Sequence, residues 1–543
     1  MLPFWKRRNS GRKVNRRQAS TGRFGSHHRT GFEALESRQL LSASGDFNGD
    51  GLTDLAIGSP GLTFGSATGA GGVSVIYGQN MTGLATANNQ LWSMSKPGMV
   101  GGTQTKDAFG SALAVGDFNG DGYADLAIGL PGRNAIVPVG TPGSVSTLIG
   151  GVRVGLIQGV GAVSIIYGSQ NGLVATRSQL FTQTSIFSST TLVAGSEFGY
   201  ALTSGDFNGD GYADLAIGTP FMTVDGNTKA GGVYIIFGSA TGLNNTSAQL
   251  ITQNTAGIQG DANKGAGFGQ ALTTGDFNDD GFADLVVGAP NYILKGGSVN
   301  VIYGDSTGLP STNNQIWFAG YNGLKGTSAV GNLFGSSLAV GDFNGDFVPD
   351  LAIGAPGTKV GSATGAGAVS IIFGSIAFTG LTSLNNQIVT RTSLGSTSST
   401  SDQFGYCLTA GYINGDTYAD LAIGTPMADV NGVKDAGLVQ IVYGASTGLT
   451  ATGTVAMTEA TPTAGYNFGA SITSGDYNGD GYIDLSIGIP HQAFGTLLNV
   501  GAVQTDYGST TGIVKKNQQL WRFGLLGLQG TATAGSLFGS SVT

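Results

Sequence analysis

An acidic string that contains glycine recurs seven times along this chain and constrains its fold more than any other feature. The copies read GDFNGDG, GDFNGDG, GDFNGDG, GDFNDDG, GDFNGDF, GYINGDT and GDYNGDG, and they begin at Gly45, Gly116, Gly205, Gly275, Gly341, Gly411 and Gly475. They lie about 64 to 90 residues apart, which is longer than an ankyrin or leucine-rich repeat and suits one blade of a propeller. The chain is therefore one structural unit repeated seven times.

Each unit has the same order of segments. A Phe-Gly pair and a short apolar stretch precede the acidic loop, and an apolar run such as YADLAIG from Tyr123 follows it. After a variable loop come a second run such as GAVSIIYG from Gly161, a turn of the form GSxxGL, and a polar stretch such as NNQIWFA from Asn313. The β-branched runs and the abundant glycine (95 residues) predict short strands and tight turns, with four strands per unit. We therefore predict an all-β fold.

The two ends of the chain complement each other. The first acidic loop, at Asp46, has no Phe-Gly stretch before it, and the last residues, Phe538–Thr543 (FGSSVT), have no acidic loop after them. Joined end to end, they read as an ordinary unit junction. We therefore predict that residues 44–543 form a seven-bladed β-propeller of four-stranded antiparallel blades, closed by the C-terminal strand joining the N-terminal blade. A truncated open array is the alternative.

The Phe-Gly opening, the DxNxDGxxDLxIGxP core and the GAVSIIYG strand closely resemble FG-GAP repeats, as in the propeller of integrin α-subunits. The resemblance covers essentially everything from about Ser44 to Thr543. It implies a calcium-bearing seven-bladed propeller of the kind that is usually extracellular and takes part in adhesion or recognition.

The acidic loop has the spacing of a calcium loop. Oxygen ligands at its first, third, fifth and ninth positions can converge on one ion if the backbone coils around it, and glycine at the sixth position permits the positive φ that this needs. Carboxylate and amide oxygens suit Ca²⁺, and the absence of nearby His or Cys disfavours zinc. We predict Ca²⁺ sites at Asp46, Asn48, Asp50, Asp54, Asp117, Asn119, Asp121, Asp125, Asp206, Asn208, Asp210, Asp214, Asp276, Asn278, Asp280, Asp284, Asp342, Asn344, Asp346, Asp350, Asp476, Asn478, Asp480 and Asp484.

Two loops depart from this pattern. Phe347 takes the glycine position of the fifth loop, so we expect weaker binding there because its backbone is costlier. In the sixth loop Tyr412 replaces the first Asp and Thr417 the glycine, and we expect it to bind no ion through its remaining candidates, Asn414, Asp416 and Asp420. The alternative for all seven loops is that Asp-Asn-Gly strings only form turns. Their carboxylates would then repel one another without a cation.

The N-terminal segment differs in charge from the rest of the chain. Nine Lys or Arg and no acid precede residue 32, whereas from Ser44 onward 15 Lys and Arg stand against 31 Asp and Glu. We predict a basic, disordered export or sorting segment over residues 1–43. Its residues Phe32–Ala43 (FEALESRQLLSA) resemble the LEPR-x-LL motif of planctomycete surface proteins, with Ser37 in place of Pro. The sequence therefore predicts a secreted or cell-surface protein, and the alternative is a disordered basic tail on an intracellular one.

Recognition of a ligand is the function that these features favour. The acidic body disfavours nucleic acid as a partner, and no apolar run approaches the roughly 18 residues of a membrane span. The variable loops after the YADLAIG-type run are the predicted binding regions, the longest running from about Arg133 to Gly159. We expect an extracellular protein or carbohydrate ligand.

An enzymatic role has little support in the sequence. The chain has three His and one Cys, Cys407, which we predict to be a small buried residue, and its acids lie almost only in the predicted calcium loops. We therefore predict a protein that is not an enzyme. Two alternatives stay open, namely a hydrolase or lyase that uses the central channel, and a structural surface module that associates with itself.

Overall fold

The structure is a computed structural model that describes residues 45–149, 151–292, 295–377, 379–525 and 527–543. The strands described below lie in the unit that spans Leu40–Thr543. The segment predicted over residues 1–43, with its motif and its basic charge, lies outside the described residues.

Seven four-stranded antiparallel sheets form the body of the protein. We number them 1 to 7 and call their strands a, b, c and d in the order in which they are hydrogen-bonded. In sheet order, strands a are Ser541–Val542, Leu113–Gly116, Leu202–Gly205, Ala271–Gly275, Ser337–Gly341, Leu408–Gly411 and Ser471–Gly475. Strands b are Leu55–Ser59, Asp125–Leu130, Asp214–Thr219, Asp284–Ala289, Asp350–Ala355, Asp420–Thr425 and Asp484–Ile489.

The outer half of each sheet completes the repeated unit. Strands c are Gly72–Tyr77, Ala162–Tyr167, Gly232–Phe237, Ser298–Ile302, Ala368–Gly374, Leu438–Tyr443 and Ala502–Tyr507. Strands d are Ala85–Trp92, Val174–Phe181, Asn244–Ile251, Asn314–Trp317, Leu381–Val389, Thr450–Met457 and Val514–Trp521. The predicted all-β class and the four strands per unit are therefore confirmed. One short helix, Gln183–Ile186, follows strand d of sheet 2, and no helix within the described residues is long and apolar enough to cross a membrane.

Burial differs between the strands of a sheet. Strand b is buried along its whole length, as in Leu55–Ser59, and strand c is almost entirely so. Strand d mixes buried and exposed residues, as in Ala85–Trp92. Since side chains alternate between the faces of a strand, full burial of strands b and c means that both faces of each sheet are covered. This explains why the repeated runs are continuously apolar and do not alternate with polar residues.

The Phe-Gly pair joins each sheet to the one before it. Phe109 donates its N–H to the carbonyl of Ala70, in the b–c loop of sheet 1, at 3.0 Å, and its ring is fully buried. The sequence pattern predicts this pair within strand a, but the strand begins only at Leu113. Phe109 lies outside the ladder because its N–H bonds to the neighbouring sheet, whereas the N–H of Gly110 donates to the carbonyl of Gly129, in strand b of its own sheet, at 3.1 Å.

Sheets 7 and 1 are joined by bonds of the same kinds. The N–H of Phe538 donates to the carbonyl of Val500 at 2.9 Å, and Val542 pairs with Ile57 in the first sheet. The N–H of Leu84 donates to the hydroxyl of Tyr507 at 3.0 Å, as that of Leu173 does to Tyr77 between sheets 1 and 2. These contacts bring the two ends of the repeat region into one four-stranded sheet.

The long variable loop of sheet 2 contains a small sheet that the sequence pattern does not predict. Ala135–Val137, Val145–Ile149 and Val152–Ile157 form a three-stranded antiparallel sheet in which the last of these strands is central. Glycine and proline interrupt this stretch at short intervals, for instance at Gly140, and so its strands are too short to stand out from a loop. We call these three strands the inserted sheet.

Candidate metal centres

Each acidic loop leads into a strand b, and its backbone turns through residues with positive φ. In the first loop, counted from Asp46, the fourth residue, Gly49, has φ +72° and the sixth, Gly51, has φ +85°. Only glycine adopts such angles at little cost. The sequence prediction included the requirement at the sixth position and missed the one at the fourth, although Asn-Gly at positions three and four is a visible turn signal.

The first, third and fifth side chains of a loop meet within this turn. Asp46 Oδ2 accepts the N–H of Gly51 at 2.8 Å, and its Oδ1 accepts that of Gly49 at 2.6 Å. Asn48 Nδ2 donates to Asp50 Oδ2 at 3.0 Å. Equivalent bonds to the first Asp occur in five further loops, at Asp117, Asp206, Asp276, Asp342 and Asp476. The sequence-predicted ligands at these positions are therefore brought together.

The ninth residue of the loop has a structural bond network of its own. Asp54 is fully buried, and its Oδ2 accepts the N–H of Phe47 at 2.8 Å while its Oδ1 accepts that of Gly78, at the end of strand c, at 3.0 Å. The same two bonds recur in the other six loops, at Asp125, Asp214, Asp284, Asp350, Asp420 and Asp484. This Asp ties its loop to strand c whether or not an ion is present.

Burial gives this Asp an unusual charge state. Burial raises the pKa of Asp54, the two N–H bonds lower it and the neighbouring carboxylates of Asp46 and Asp50 raise it, which together place this pKa at about 8. The equivalent residues of the other loops have a raised pKa for the same leading reason. A cation beside these carboxylates would favour their ionised form.

The two divergent loops also differ in geometry. Phe347 takes φ +68° at the sixth position of the fifth loop and donates its N–H to Asp342 Oδ2 at 2.9 Å, so the loop keeps its path at the cost of a strained residue. In the sixth loop Thr417 has no positive φ, and Asn414 donates its N–H to Asp420 Oδ2 at 3.1 Å. The sixth loop therefore follows a different path.

Neighbouring loops contact one another. A Cβ placed on Gly49 would lie 2.6 Å from Cε1 of Tyr123, the seventh residue of the second loop, and the N–H of Ala124 donates to the carbonyl of Asp46 at 3.0 Å. The same glycine and aromatic pair occurs between Gly120 and Tyr212. These contacts link positions more than 70 residues apart, and local sequence spacing does not reveal them.

The acidic loops offer the type of ligand atom that a hard cation prefers, but few carboxylates converge on one point. Carboxylate and amide oxygens line each turn, as Ca²⁺ prefers. Within the part of the chain that the structure describes, however, no group of three or more His, Cys, Asp or Glu lies close enough together to hold a metal ion. The ninth Asp bonds to an N–H group through each of its oxygens, and the first and fifth carboxylates lie in the turn.

The remaining candidates have structural partners. His491 Nδ1 lies 2.8 Å from Asn467 Oδ1. Cys407 is half-buried, and its thiol donates to the carbonyl of Gly469 at 3.0 Å. The side chains of Trp92, Trp317 and Trp521 are buried, which agrees with a packing role.

Comparison with known proteins identifies the repeated unit. The model of the FG-GAP repeat matches six segments, residues 41–76, 109–148, 198–236, 268–303, 334–372 and 404–442. The unit that begins at Phe468 lies outside the matched segments. The predicted resemblance to FG-GAP repeats is therefore confirmed for the units that carry these matches.

Two kinds of relative share these repeats. Phosphatidylinositol-glycan-specific phospholipase D of Bos taurus is 40% identical over 185 residues, which is 33% of this chain and 21% of that protein. Integrin alpha-PS2 of Drosophila melanogaster is 33% identical over 275 residues, 49% of this chain and 16% of that protein. Integrin alpha-V of Gallus gallus is 31% identical over 250 residues, 46% of this chain and 19% of that protein. The chain thus spans about a fifth or less of the length of these relatives.

These relatives correct one prediction. The sequence predicted a protein that is not an enzyme. That prediction is wrong at the level of the family, because the chain has enzymes among its relatives. The likeness was hidden because it lies in the repeats, which carry no catalytic motif. A solved rhamnogalacturonan lyase of Bacillus licheniformis aligns with a TM-score of 0.33 and 12% identity over 87% of this chain and 72% of that one.

Proposed function

Since this chain is an FG-GAP repeat protein with an integrin-alpha-like propeller fold, we propose that it is a calcium-stabilised, seven-bladed propeller that recognises a ligand outside the cell. The observation that carries the proposal is the repeated acidic turn, in which the first, third and fifth side chains meet, and which a buried ninth Asp ties to strand c. The proposal has three parts, namely closure of the ring, calcium binding and ligand recognition.

Closure of the seven sheets into a ring is the first part. Sheet 7 bonds to sheet 1 through Phe538 and Val500, in the manner of Phe109 and Ala70 between sheets 1 and 2. The pairing of Val542 with Ile57 supplies the fourth strand of sheet 1. A ring also leaves no large apolar sheet face without a neighbour, which an open array would do at both ends.

Calcium binding is the second part. We propose that Ca²⁺ is held by the acidic loops other than the sixth, through the side chains at positions one, three and five and through the ninth Asp after a small shift of the turn. Each ion would neutralise like charges that now lie within one turn. Binding to the folded state alone stabilises it by about 2.7 kcal/mol per site when free Ca²⁺ is 100 times Kd.

Calorimetry on the full chain tests the metal assignment. After removal of metal with a chelator, titration with CaCl₂ should give about six sites, and saturation should raise the melting temperature. The matched pair Asp480→Ala and Asp416→Ala changes the fifth position of the seventh and sixth loops. We expect the first variant to lose one site and the second to lose none. If the titration gives no heat of calcium binding and the melting temperature stays the same, the assignment is refuted.

Ligand recognition by the b–c loops is the third part. Similarity to integrin alpha chains over nearly half of this chain supports a role in adhesion or recognition. The b–c loops vary in length on a rigid set of sheets, which is where binding specificity usually lies. Weak extracellular calcium sites also suit a secreted or cell-surface location. Panels of immobilised glycans and matrix proteins, probed with the full chain with and without calcium, would test this part, and no binding at all would count against it.

A hydrolase is a second candidate, favoured by the 40% identity with phosphatidylinositol-glycan-specific phospholipase D. Its substrates would be phosphodiesters of glycosylated phosphatidylinositol. Release of a glycolipid-anchored protein from vesicles by the full chain would support this activity. Because the matched part is 21% of that enzyme, absence of both release and vesicle binding by the full chain would count against this candidate.

A further inference from the structure

The inserted sheet exposes an apolar face to solvent. Its register places Val145 opposite Leu156, Thr147 opposite Val154 and Ile149 opposite Val152. Since paired residues and alternate residues along a strand share a face, one side of the sheet is made of the following residues, which we call the insertion face: Ile136, Val145, Thr147, Ile149, Val152, Val154 and Leu156. It contains no charged residue and one hydroxyl.

The exposure of this face is unusual for a surface sheet. Ile136 is 56% exposed, Val145 62%, Ile149 44% and Val152 64%. The other face of the same sheet is mixed in polarity: Ile157 is buried, Leu148 is 63% exposed, and the exposed Arg153 donates to Ser146 Oγ at 3.2 Å. A surface sheet ordinarily turns its polar face to water, and a contiguous apolar patch of this kind marks an interaction site.

We propose that the insertion face binds the insertion face of a second copy of this chain, so that two inserted sheets pack face to face about a two-fold axis. An aliphatic face of this type is complementary to itself, which is what a two-fold interface requires. Two such faces can pack about 10 Å apart and interdigitate their branched side chains, as sheets do in a sandwich.

The size of the face suits a weak dimer. Its exposed residues present roughly 500 Å² per copy, or about 1,000 Å² for the pair, which lies at the lower limit for a specific interface. We therefore expect dissociation in the micromolar range, with monomer and dimer both present at laboratory concentrations.

The charge of the chain disfavours a membrane as the occupant. From Ser44 onward acidic residues outnumber basic ones by 31 to 15, so an anionic lipid surface would repel the body. Two copies also repel each other because they carry charge of the same sign. At physiological ionic strength salt largely screens charges that lie more than about 8 Å apart, and it leaves apolar packing intact. The dimer should therefore strengthen as NaCl is raised.

Val145 and Leu148 provide a matched pair for the test. Both lie on strand Val145–Ile149, they are 62% and 63% exposed, and they point to opposite faces of the sheet. Sedimentation velocity of the full chain over a range of concentrations should show a reversible dimer. We expect Val145→Asp to weaken dimerisation at least tenfold and Leu148→Asp to change it less than twofold. Unchanged melting temperatures of both variants would verify that the body stays folded.

Three outcomes would overturn the proposal. The wild-type chain could remain monomeric at every concentration. Leu148→Asp could abolish the dimer as fully as Val145→Asp, which would show that dimerisation is not confined to the insertion face. A monomeric chain could bind phosphatidylcholine vesicles and lose that binding on Val145→Asp, which would assign the face to a lipid surface. None of these outcomes depends on calcium, so the proposal stands or fails separately from the metal assignment.

Discussion

The ring of Tyr123 lies against the α-carbon of Gly49, so that a side chain of the second unit covers the acidic turn of the first. A methyl group at Gly49 would meet this ring, and the residue also needs a φ of +72°. We expect Gly49→Ala to lower the free energy of unfolding by about 2 to 3 kcal/mol through strain and displacement of the ring.

Gly51→Ala is the control for this substitution. Gly51 has a similar φ, +85°, but no other atom lies within 4 Å of the place that a methyl group would take there. Gly51→Ala should therefore lower the free energy of unfolding only by the backbone strain of an alanine at positive φ, about 1 kcal/mol. Denaturant unfolding in chelator measures both values without a contribution from metal, and equal costs would argue against the contact with Tyr123.

The buried ninth Asp should matter without any ion. In Asp54→Asn one oxygen acceptor is lost, so either Phe47 or Gly78 keeps a buried N–H without its partner. We expect a loss of about 2 kcal/mol in chelator. Asp50→Asn retains an oxygen for the N–H of Leu52 at an exposed position, and it should cost less than about 0.5 kcal/mol under the same conditions. Denaturant unfolding measures both, and a neutral Asp54→Asn would contradict the structural role.

Phe538 tests the contact between the two ends of the repeat region. Its ring is fully buried and packs edge-on against Phe523 at a centroid distance of 4.9 Å. We expect Phe538→Ala to cost about 3 to 5 kcal/mol in denaturant unfolding, as should Phe109→Ala between sheets 1 and 2. If Phe538→Ala were nearly neutral while Phe109→Ala was costly, sheets 7 and 1 would not be joined in solution.

Phe347 offers a stabilising substitution. It takes φ +68° with a side chain that is 60% exposed, so glycine would relieve strain and remove little packing. We expect Phe347→Gly to raise the free energy of unfolding by about 1 kcal/mol, whereas Phe347→Leu should leave it unchanged. Thermal melts of the three proteins in chelator would measure this, and a destabilised glycine variant would contradict it.

The thiol of Cys407 should be unreactive in the folded protein. Burial raises its pKa to about 12, so at pH 8 the group is protonated and lacks the nucleophilic thiolate. We expect negligible alkylation by iodoacetamide at pH 8 and complete alkylation in denaturant, measured by mass spectrometry. Rapid labelling of the native chain would show that the segment just before strand Leu408–Gly411 opens readily.

Much of the fold could be predicted from the sequence because the same apolar runs recur at similar spacing. The strand that begins at Leu55 is visible as a short apolar run after its acidic loop, and its six counterparts reinforce that interpretation. The inserted sheet could not be predicted because it occurs once and its strands, such as Ala135–Val137, are short. Repetition along the chain supplied evidence for the strands of the seven sheets and none for the inserted sheet.

The candidate sites were predicted in composition but not in geometry. Local spacing identified Asp46, Asn48 and Asp50 as partners, and the structure brings them into one turn. It could not reveal that Asp54 bonds to Gly78, or that Tyr123 covers Gly49, because those contacts join distant parts of the chain. The enzymatic relatives were missed for a related reason, since a shared scaffold carries no catalytic signature.

The pairing of Val542 with Ile57 also sets the order of events during synthesis. Strand Leu55–Ser59 is made early, yet the residues that cover its edge, Ser541–Val542, follow only after the other six sheets have been made. Until then a fully buried strand of the finished protein has an open edge, which is the condition under which nascent β-proteins aggregate. The first sheet therefore needs to be shielded from other chains until Ser541–Val542 have been made.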